Sequence, residues 1–197
     1  MGFFNKLRGT FRESTREDFY DGLRNLGIEA QMGQRGHIEG VPLIVDKSSL
    51  GMIDISHGPI RWVNLRASRR GKMTDFFADY GVPDPRDELG QVGEIQIELA
   101  CRKSFPLVFR VIDVYWKGND KGWGIIDRLN SDILLNEQLM RDRGIVGWLV
   151  GIIEVTIKLF YDRKNRCWII RVYSVDSPSL ELWNCLQQIA QHLLATQ

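Results

Sequence analysis

The stretch that decides the fold runs from Gly151 to Val175 and reads GIIEVTIKLFYDRKNRCWIIRVYSV. Apolar and polar residues alternate in its first arm, which is the spacing at which a strand buries one face and leaves the other in water. The apolar positions are Val155, Ile157 and Leu159 in the first arm and Trp168, Ile170 and Val172 in the second. The polar tetrad from Asp162 to Asn165 is a turn between them. The stretch therefore predicts an antiparallel hairpin whose apolar face needs a cover.

The last helix is the expected cover. It starts after Asp176-Ser-Pro-Ser179, with Pro178 in its first turn. Its apolar residues are Leu182, Trp183, Cys185, Leu186, Ile189, Ala190, Leu193 and Leu194. They occupy about half of the helical wheel, which is wider than a coiled-coil seam and suits a helix that lies on a sheet.

Two further elements are predicted near the N-terminus. The tetrapeptide from Ser14 to Glu17 has the pattern of a capping box, so a helix is expected from Thr15 to Leu26, ended by Gly27. From Ile38 to Leu65 the apolar residues alternate, which predicts a three-stranded meander in which Pro42 marks an edge strand.

The segment from Arg66 to Gly90 differs in composition. A basic loop is followed by Thr74, which we expect to cap a short helix that ends at Gly81. An internal domain boundary would fall between residues 66 and 92. The predicted parts are an amphipathic arm at 1–13, a helix plus meander at 14–66, a connecting segment with a short helix at 67–91, and an α+β half at 92–197. The alternative is one domain over 14–197.

The second half begins with two more predicted strands. Ile95, Ile97 and Leu99 alternate with polar residues, and 105–116 is apolar on nearly both faces, as expected of a central strand. Asn130 or Ser131 can cap the helix that follows. The order hairpin, helix, hairpin, helix predicts an α+β fold with an antiparallel sheet and helices packed on one face.

Composition limits the classes of function. With 197 residues and a net charge of +1, the chain has no general attraction for nucleic acid or a membrane. Cys101, Cys167 and Cys185 form no close pair, which favours a reducing compartment and a cytoplasmic location. The charge-free apolar run from Gly144 to Ile153 is about half of the ~20 residues that a spanning helix needs, so no transmembrane segment is predicted.

The N-terminal arm is amphipathic. Phe3, Phe4, Leu7 and Phe11 share one side of a helical wheel, and Lys6, Arg8 and Arg12 lie elsewhere. Such an arm can dock on its own domain, on a partner or on an anionic membrane surface. A helix this short is marginal alone, so docking within the chain or on another protein, including a second copy, is favoured.

Three residues are weak catalytic candidates. Asp113 shares its face with apolar neighbours, so a buried carboxyl there would have a raised pKa and could act as a general acid. A bulge or the outer face of the sheet is the alternative position for it. His57 ends a strand that also carries Asp54, but alternation directs the two side chains to opposite faces, so Asp54 is not expected to orient His57.

A basic cluster lies beside an aromatic residue. Its members are Arg61, Trp62, Arg66, Arg69, Arg70 and Lys72. Such a mixture can hold phosphates or stack a base, although short basic loops commonly just point into water. Nucleic-acid binding is not expected because the rest of the chain is not basic and no glycine-rich phosphate loop accompanies the cluster.

No motif predicts a metal or cofactor. Cys185 and His192 lie two turns apart, with a rise of roughly 10.5 Å, too far for one ion. The sequence therefore favours a non-enzymatic binding or assembly module that acts through a protein partner or self-association. The alternatives are a small-molecule enzyme with a carboxylate in a pocket between sheet and helices, and a phosphate or nucleic-acid binder through the loop from Arg66 to Lys72.

Overall fold

The computed structural model describes residues 15–33, 48–70, 73–84, 86, 94–103, 111–142, 157–174 and 176–195. Their strands are β1 (Ala30–Met32), β2 (Ser49–Ile55), β3 (Trp62–Arg70), β4 (Met73–Pro83), β5 (Gln96–Lys103), β6 (Val111–Asn119), β7 (Ile157–Asp162) and β8 (Cys167–Val172). Their helices are α1 (15–25), α2 (Ile125–Ser131), α3 (Ile133–Arg141) and α4 (Leu180–Leu194).

The eight strands form one antiparallel sheet in the order β1-β2-β3-β4-β8-β7-β5-β6. The four helices pack on one face, because their buried residues share a single core with the inward-facing strand residues. This confirms the predicted fold class. The helix predicted from Thr15 is confirmed as α1, which buries Phe19 and Leu23 in that core.

The predicted antiparallel hairpin is confirmed as strands β7 and β8. Leu159 lies opposite Ile170 and Ile157 lies opposite Val172, and all four side chains are buried on the helix side. Helix α4 covers them and begins where Ser179 accepts a hydrogen bond from the Leu182 amide, at 3.0 Å. Pro178 precedes this cap rather than standing in the first turn.

The helix predicted after Thr74 is wrong, because residues 73–83 form strand β4. The prediction relied on the aromatic residues Phe76, Phe77 and Tyr80, but the buried inward positions are Ala78, Tyr80 and Val82, with period two. Strand β4 pairs with β3 on one side and with β8 on the other, and this pairing outweighs local helical spacing. One sheet thus contains strands from both sides of the predicted boundary, while the division into domains stays a prediction.

Strand β6 was predicted to be central but lies at the edge of the sheet. Helices α2 and α3 border it, and α3 is capped by Asp132 instead of Asn130 or Ser131. Helix α2 and strand β1 were not predicted. The strand expected at Pro42 and the arm at 1–13 lie outside the described residues.

Candidate functional site

A cleft of about 630 Å³ opens at one end of the sheet. It lies where β1, β2, β3 and β4 meet the end of α4, and its apolar lining includes Ile55, Pro59 and Leu194. Three of the residues singled out in the sequence line it together: Asp54, Arg61 and Trp62. The fold therefore brings together an acid of β2, the aromatic residue that begins β3 and the base directly before it.

Asp54 and Trp62 are direct cross-strand neighbours on β2 and β3. Trp62 is 2% exposed, and both its Nε1 and the Oδ1 atom of Asp54 are shut off from solvent. Neither atom has a hydrogen-bond partner in the described part of the chain. Burial raises the pKa of Asp54 above its ordinary 3.8. Near the cleft, β2 thus contains one buried acceptor and β3 one buried donor, and neither is hydrogen-bonded within the described residues.

Trp62 is held in this position by a glycine. Gly81 faces it across β3 and β4, and the indole lies directly against the Gly81 backbone. A Cβ atom at position 81 would overlap Cε2, Cζ2 and Cδ2 of the ring. The absence of a side chain at Gly81 is therefore what allows the indole to lie flat on the sheet.

The other two candidates near the cleft face solvent. The backbone of Arg61 joins the sheet, donating to Gly81 O at 2.9 Å, while its side chain stays exposed. His57 does not line the cleft, although the residues on either side of it do. Its Nε2 lies 3.0 Å from Oε2 of Glu29, and both side chains are exposed. Asp54 and His57 are not brought together, as their alternation predicted.

A second polar cluster lies on the sheet face opposite the helices. Asp79 is 3% exposed and accepts hydrogen bonds from Arg171 at 2.7 and 2.9 Å and from Arg66 at 3.2 Å. Burial alone would lower the pKa of Arg171, but its hydrogen bonds and charge interaction with Asp79 raise it. The guanidinium of Arg171 also stacks on Phe77 and Phe160, at 4.2 and 4.9 Å from the ring centres. This cluster therefore stabilises the centre of the sheet.

This cluster changes the interpretation of the basic loop. Arg66 belongs to β3 and bonds inside the protein, so it is not part of a solvated loop. Arg69 and Arg70 continue the same strand and Lys72 lies outside the described residues. Most of the segment that was proposed to bind phosphate as a loop is therefore a strand.

Asp113 lines a different site, a groove of about 420 Å³ between the edge strand β6 and helix α3. Its side chain is 51% exposed on the outer face of the sheet, 3.9 Å from Arg102, beside a register shift of β5 against β6. The groove also contains Glu137 and two exposed apolar side chains, Ile112 and Ile133. Asp113 is therefore exposed on the outer face of the sheet beside this irregularity, and it is not buried among apolar neighbours.

At the end of the groove, a side chain occupies the backbone hydrogen-bonding groups of β6. The side chain of Asn130 accepts from the Trp116 amide at 2.7 Å and donates to the Trp116 carbonyl at 3.0 Å. These are the bonds that a further strand would make at this position. The edge is therefore closed to strand pairing at Trp116, and the groove beside Ile112 to Tyr115 is its accessible part.

Several polar and charged side chains hold the end of α4 in place. Arg86 and Arg128 both donate to Ala195 O at the end of α4, and His192 bonds Asp132 at 2.8 Å. Burial raises the pKa of the Cys167 thiol to about 12 and that of Cys185 to about 11, which leaves both unreactive. These contacts fix α4 on the sheet.

Within the described ranges, no group of three or more His, Cys, Asp or Glu side chains could hold a metal ion. The same ranges contain no helix of the length and hydropathy that crossing a membrane requires. The fold and these sites define an α+β protein with a cleft at the sheet end and a groove at the sheet edge. No family model, no curated protein and no solved structure matches the chain.

Several residues of these sites were missed in the sequence. Asp79 was not singled out because its segment was assigned to a helix, although the alternation of Phe77 and Asp79 with Ala78 and Tyr80 marks two faces of a strand. Ile133 carried no signal, since the exposure of one apolar residue in an amphipathic helix depends on neighbours from elsewhere in the chain.

Proposed function

We propose that the protein is a non-enzymatic assembly module in which residues 3–12 of one copy dock in the groove between β6 and α3 of a second copy. The observation that carries this proposal is the exposure of Ile112 and Ile133, 56% and 68%, along a groove beside an edge strand. Exposed apolar side chains gathered at a groove are a common feature of protein interaction sites.

The arm and the groove have complementary chemistry. The arm offers an apolar side of Phe3, Phe4, Leu7 and Phe11, which matches the apolar side chains of the groove. It also carries Lys6, Arg8 and Arg12, whereas the groove carries Asp113 and Glu137. An amphipathic segment laid in a groove buries its apolar side chains and places its charges at the rim, where they favour one orientation.

The position of Asp113 supports binding over catalysis. A general acid acts in a site sheltered from water, whereas the Asp113 carboxylate is half exposed and lies 3.9 Å from Arg102. An exposed carboxylate at the side of a groove can contribute to the docking of a basic segment, in competition with Arg102. A cytoplasmic location is proposed alongside, supported by the observation that Cys101, Cys167 and Cys185 form no disulfide bond.

The two apolar residues that begin α3 allow a matched test. Ile133 lines the groove, and Leu134, equally exposed at 69%, does not. In sedimentation velocity on the full chain, we expect a concentration-dependent dimer that Ile133→Asp and Leu7→Asp each convert to monomer. Leu134→Asp should leave the dimer unchanged. A chain that stays monomeric at every concentration, or an Ile133→Asp dimer, would overturn the proposal.

A charge exchange separates docking in this groove from docking elsewhere. Arg8→Glu should weaken the dimer because it places like charges near Asp113 and Glu137. Adding Glu137→Arg in the same chain should restore the association, since opposite charges then face each other again. Association that Arg8→Glu weakens and Glu137→Arg fails to restore would place the arm at another surface.

A further inference from the structure

We propose that the sheet face opposite the helices binds an aryl phosphate between Lys158 of β7 and Arg171 of β8. Both side chains lie on this face, because the residues that alternate with them, Ile157, Leu159, Ile170 and Val172, belong to the core under the helices. The site is separate from the groove at β6, and its occupation does not require docking of the arm.

The two cations lie side by side with no acid between them. Lys158 and Arg171 are paired across the hairpin, so their Cβ atoms lie about 5 Å apart. Like charges at directly opposite positions of a sheet are destabilising. An anion bound between them replaces one repulsion with two attractions, so the pair indicates an anionic ligand.

Lys158 has no acidic partner within the described ranges. Its ammonium group lies 5.9 Å from the ring centre of Tyr173 and forms no ion pair with the residues that the structure describes. Glu98, its neighbour on β5, is already paired with Lys117 at 3.2 Å. Since Lys158 is half-buried, its charge is shielded in part from water and can still be reached by a ligand.

Arg171 has N–H groups left after it has bonded Asp79. A guanidinium has five, and two of them, on Nε and Nη2, donate to the Asp79 carboxylate at 2.7 and 2.9 Å. The Tyr173 hydroxyl interacts with the same guanidinium and can take one more. The Arg171 side chain is 21% exposed, and none of its nitrogens is both buried and without a partner in the described part of the chain. The remaining N–H groups can therefore be reached from solvent by an anion that leaves Asp79 in place.

Aromatic rings border the two cations. The Arg171 guanidinium lies 4.2 Å from the ring centre of Phe77 and 4.9 Å from that of Phe160. The ring centre of Tyr173 lies 5.9 Å from that of Phe77. Phe160 and Tyr173 are half-buried, so each leaves part of its ring open to a ligand. A flat ring on the ligand can pack against them, in the offset or edge-on contacts that aromatic pairs prefer.

The donors favour a phosphate over a carboxylate. A phosphate monoester carries a charge of about −1.5 to −2 at neutral pH and has three strong acceptor oxygens. It can therefore bond the ammonium and the guanidinium at once, with charge-assisted hydrogen bonds to both. A carboxylate has a single negative charge and two oxygens. Asp79 adds little repulsion, because it is itself bonded to both Arg66 and Arg171.

Phenyl phosphate, inorganic phosphate and benzoate are the probes, each titrated into the full chain in a calorimeter at about pH 8, where the phosphates are dianionic. We expect phenyl phosphate to bind in an equimolar ratio and more tightly than the other two. Inorganic phosphate lacks the ring, and benzoate lacks the second charge. Lys158→Gln should weaken phenyl phosphate binding about tenfold, because a charge-assisted hydrogen bond is lost, and Lys158→Arg should retain it.

Lys164→Gln is the matched control, since it removes the same charge from the exposed tip of the same hairpin. It should bind phenyl phosphate like the natural chain. Equal losses in Lys158→Gln and Lys164→Gln would mean that only general charge attraction acts, and would overturn the proposal. So would the absence of binding by phenyl phosphate, or an affinity for benzoate or inorganic phosphate that equals it. These probe comparisons use the natural chain, so they do not depend on how a variant folds.

Discussion

The carboxylate of Asp79 receives two hydrogen bonds from the guanidinium of Arg171, at 2.7 and 2.9 Å, across the strands β4 and β8 that join the two halves of the sheet. Removing one member of a buried ion pair leaves the other charge without compensation. We expect Asp79→Ala to lower the free energy of unfolding by about 3 to 5 kcal/mol, measured by urea denaturation.

Asp113→Ala is the control for this prediction. It breaks an exposed pair with Arg102, and exposed pairs contribute less than about 1 kcal/mol. Similar losses in the two variants would mean that the Asp79 cluster contributes no more than a surface contact.

Gly81→Ala should destabilise the fold by about 1 to 3 kcal/mol, because the new methyl group overlaps the Trp62 ring. Trp62→Leu removes the ring, so the double variant should lose less than the sum of the two single losses. Thermal unfolding of the natural chain, the two single variants and the double variant measures the coupling energy between positions 62 and 81. Strict additivity would show that the indole does not need the space above Gly81.

Asp132→Ala should cost about 1 to 2 kcal/mol, because Asp132 caps α3 through the Leu135 amide and bonds His192 on α4. Burial alone would raise the pKa of Asp132, but the Leu135 and His192 contacts outweigh it and lower the pKa below its ordinary 3.8. The stability that the ionised Asp132 carboxylate contributes is therefore fully present when the pH is above the ordinary pKa of 3.8. It is lost as the pH falls through the lower pKa of the folded state. Chemical denaturation of the natural chain and of Asp132→Ala at several pH values measures how this loss of stability depends on pH.

Asp127, an exposed acid on the neighbouring helix α2, provides the comparison. Asp127→Ala should change stability by less than about 0.5 kcal/mol. An Asp132→Ala loss that persists undiminished well below pH 3.8 would exclude the ionised carboxylate as its source.

Asp54→Asn should stabilise the protein near neutral pH, the opposite of Asp79 substitution. The pKa of Asp54 is raised by burial, so the folded state disfavours its ionised form. This destabilising effect is present above the folded-state pKa and disappears below the ordinary value of 3.8, where the carboxyl is protonated in both states. Unfolding curves of the two chains should therefore converge as the pH falls, and a constant gap would contradict the assignment.

The elements that could be predicted from the sequence are those whose pattern is local. The alternation of Ile157 and Leu159 with polar residues and the wide apolar face of α4 each indicate their element without reference to the rest of the chain. Strand β4 could not be identified in this way. Its aromatic residues allow a helical spacing, and the competing strand pairing comes from β8, some 90 residues later.

Some residues of the cleft could be singled out from the sequence, but their arrangement in space could not. Asp54, Arg61 and Trp62 were each singled out, but the sequence does not state that Asp54 lies opposite Trp62, since register depends on the turn between the strands. Burial of Asp79 and exposure of Ile133 are likewise set by tertiary neighbours. The arm at 1–13 remains a sequence prediction.

Asn130 occupies the place of a ninth strand at Trp116 with a single amide group. The amide bonds both the N–H and the C=O of Trp116 and presents no strand backbone of its own, so strand pairing stops at this point. Without it, sheets of separate molecules could align rim to rim and extend into fibrils. One amide thus ends strand pairing at Trp116 on this edge of the sheet, and the groove beside it stays accessible to a partner.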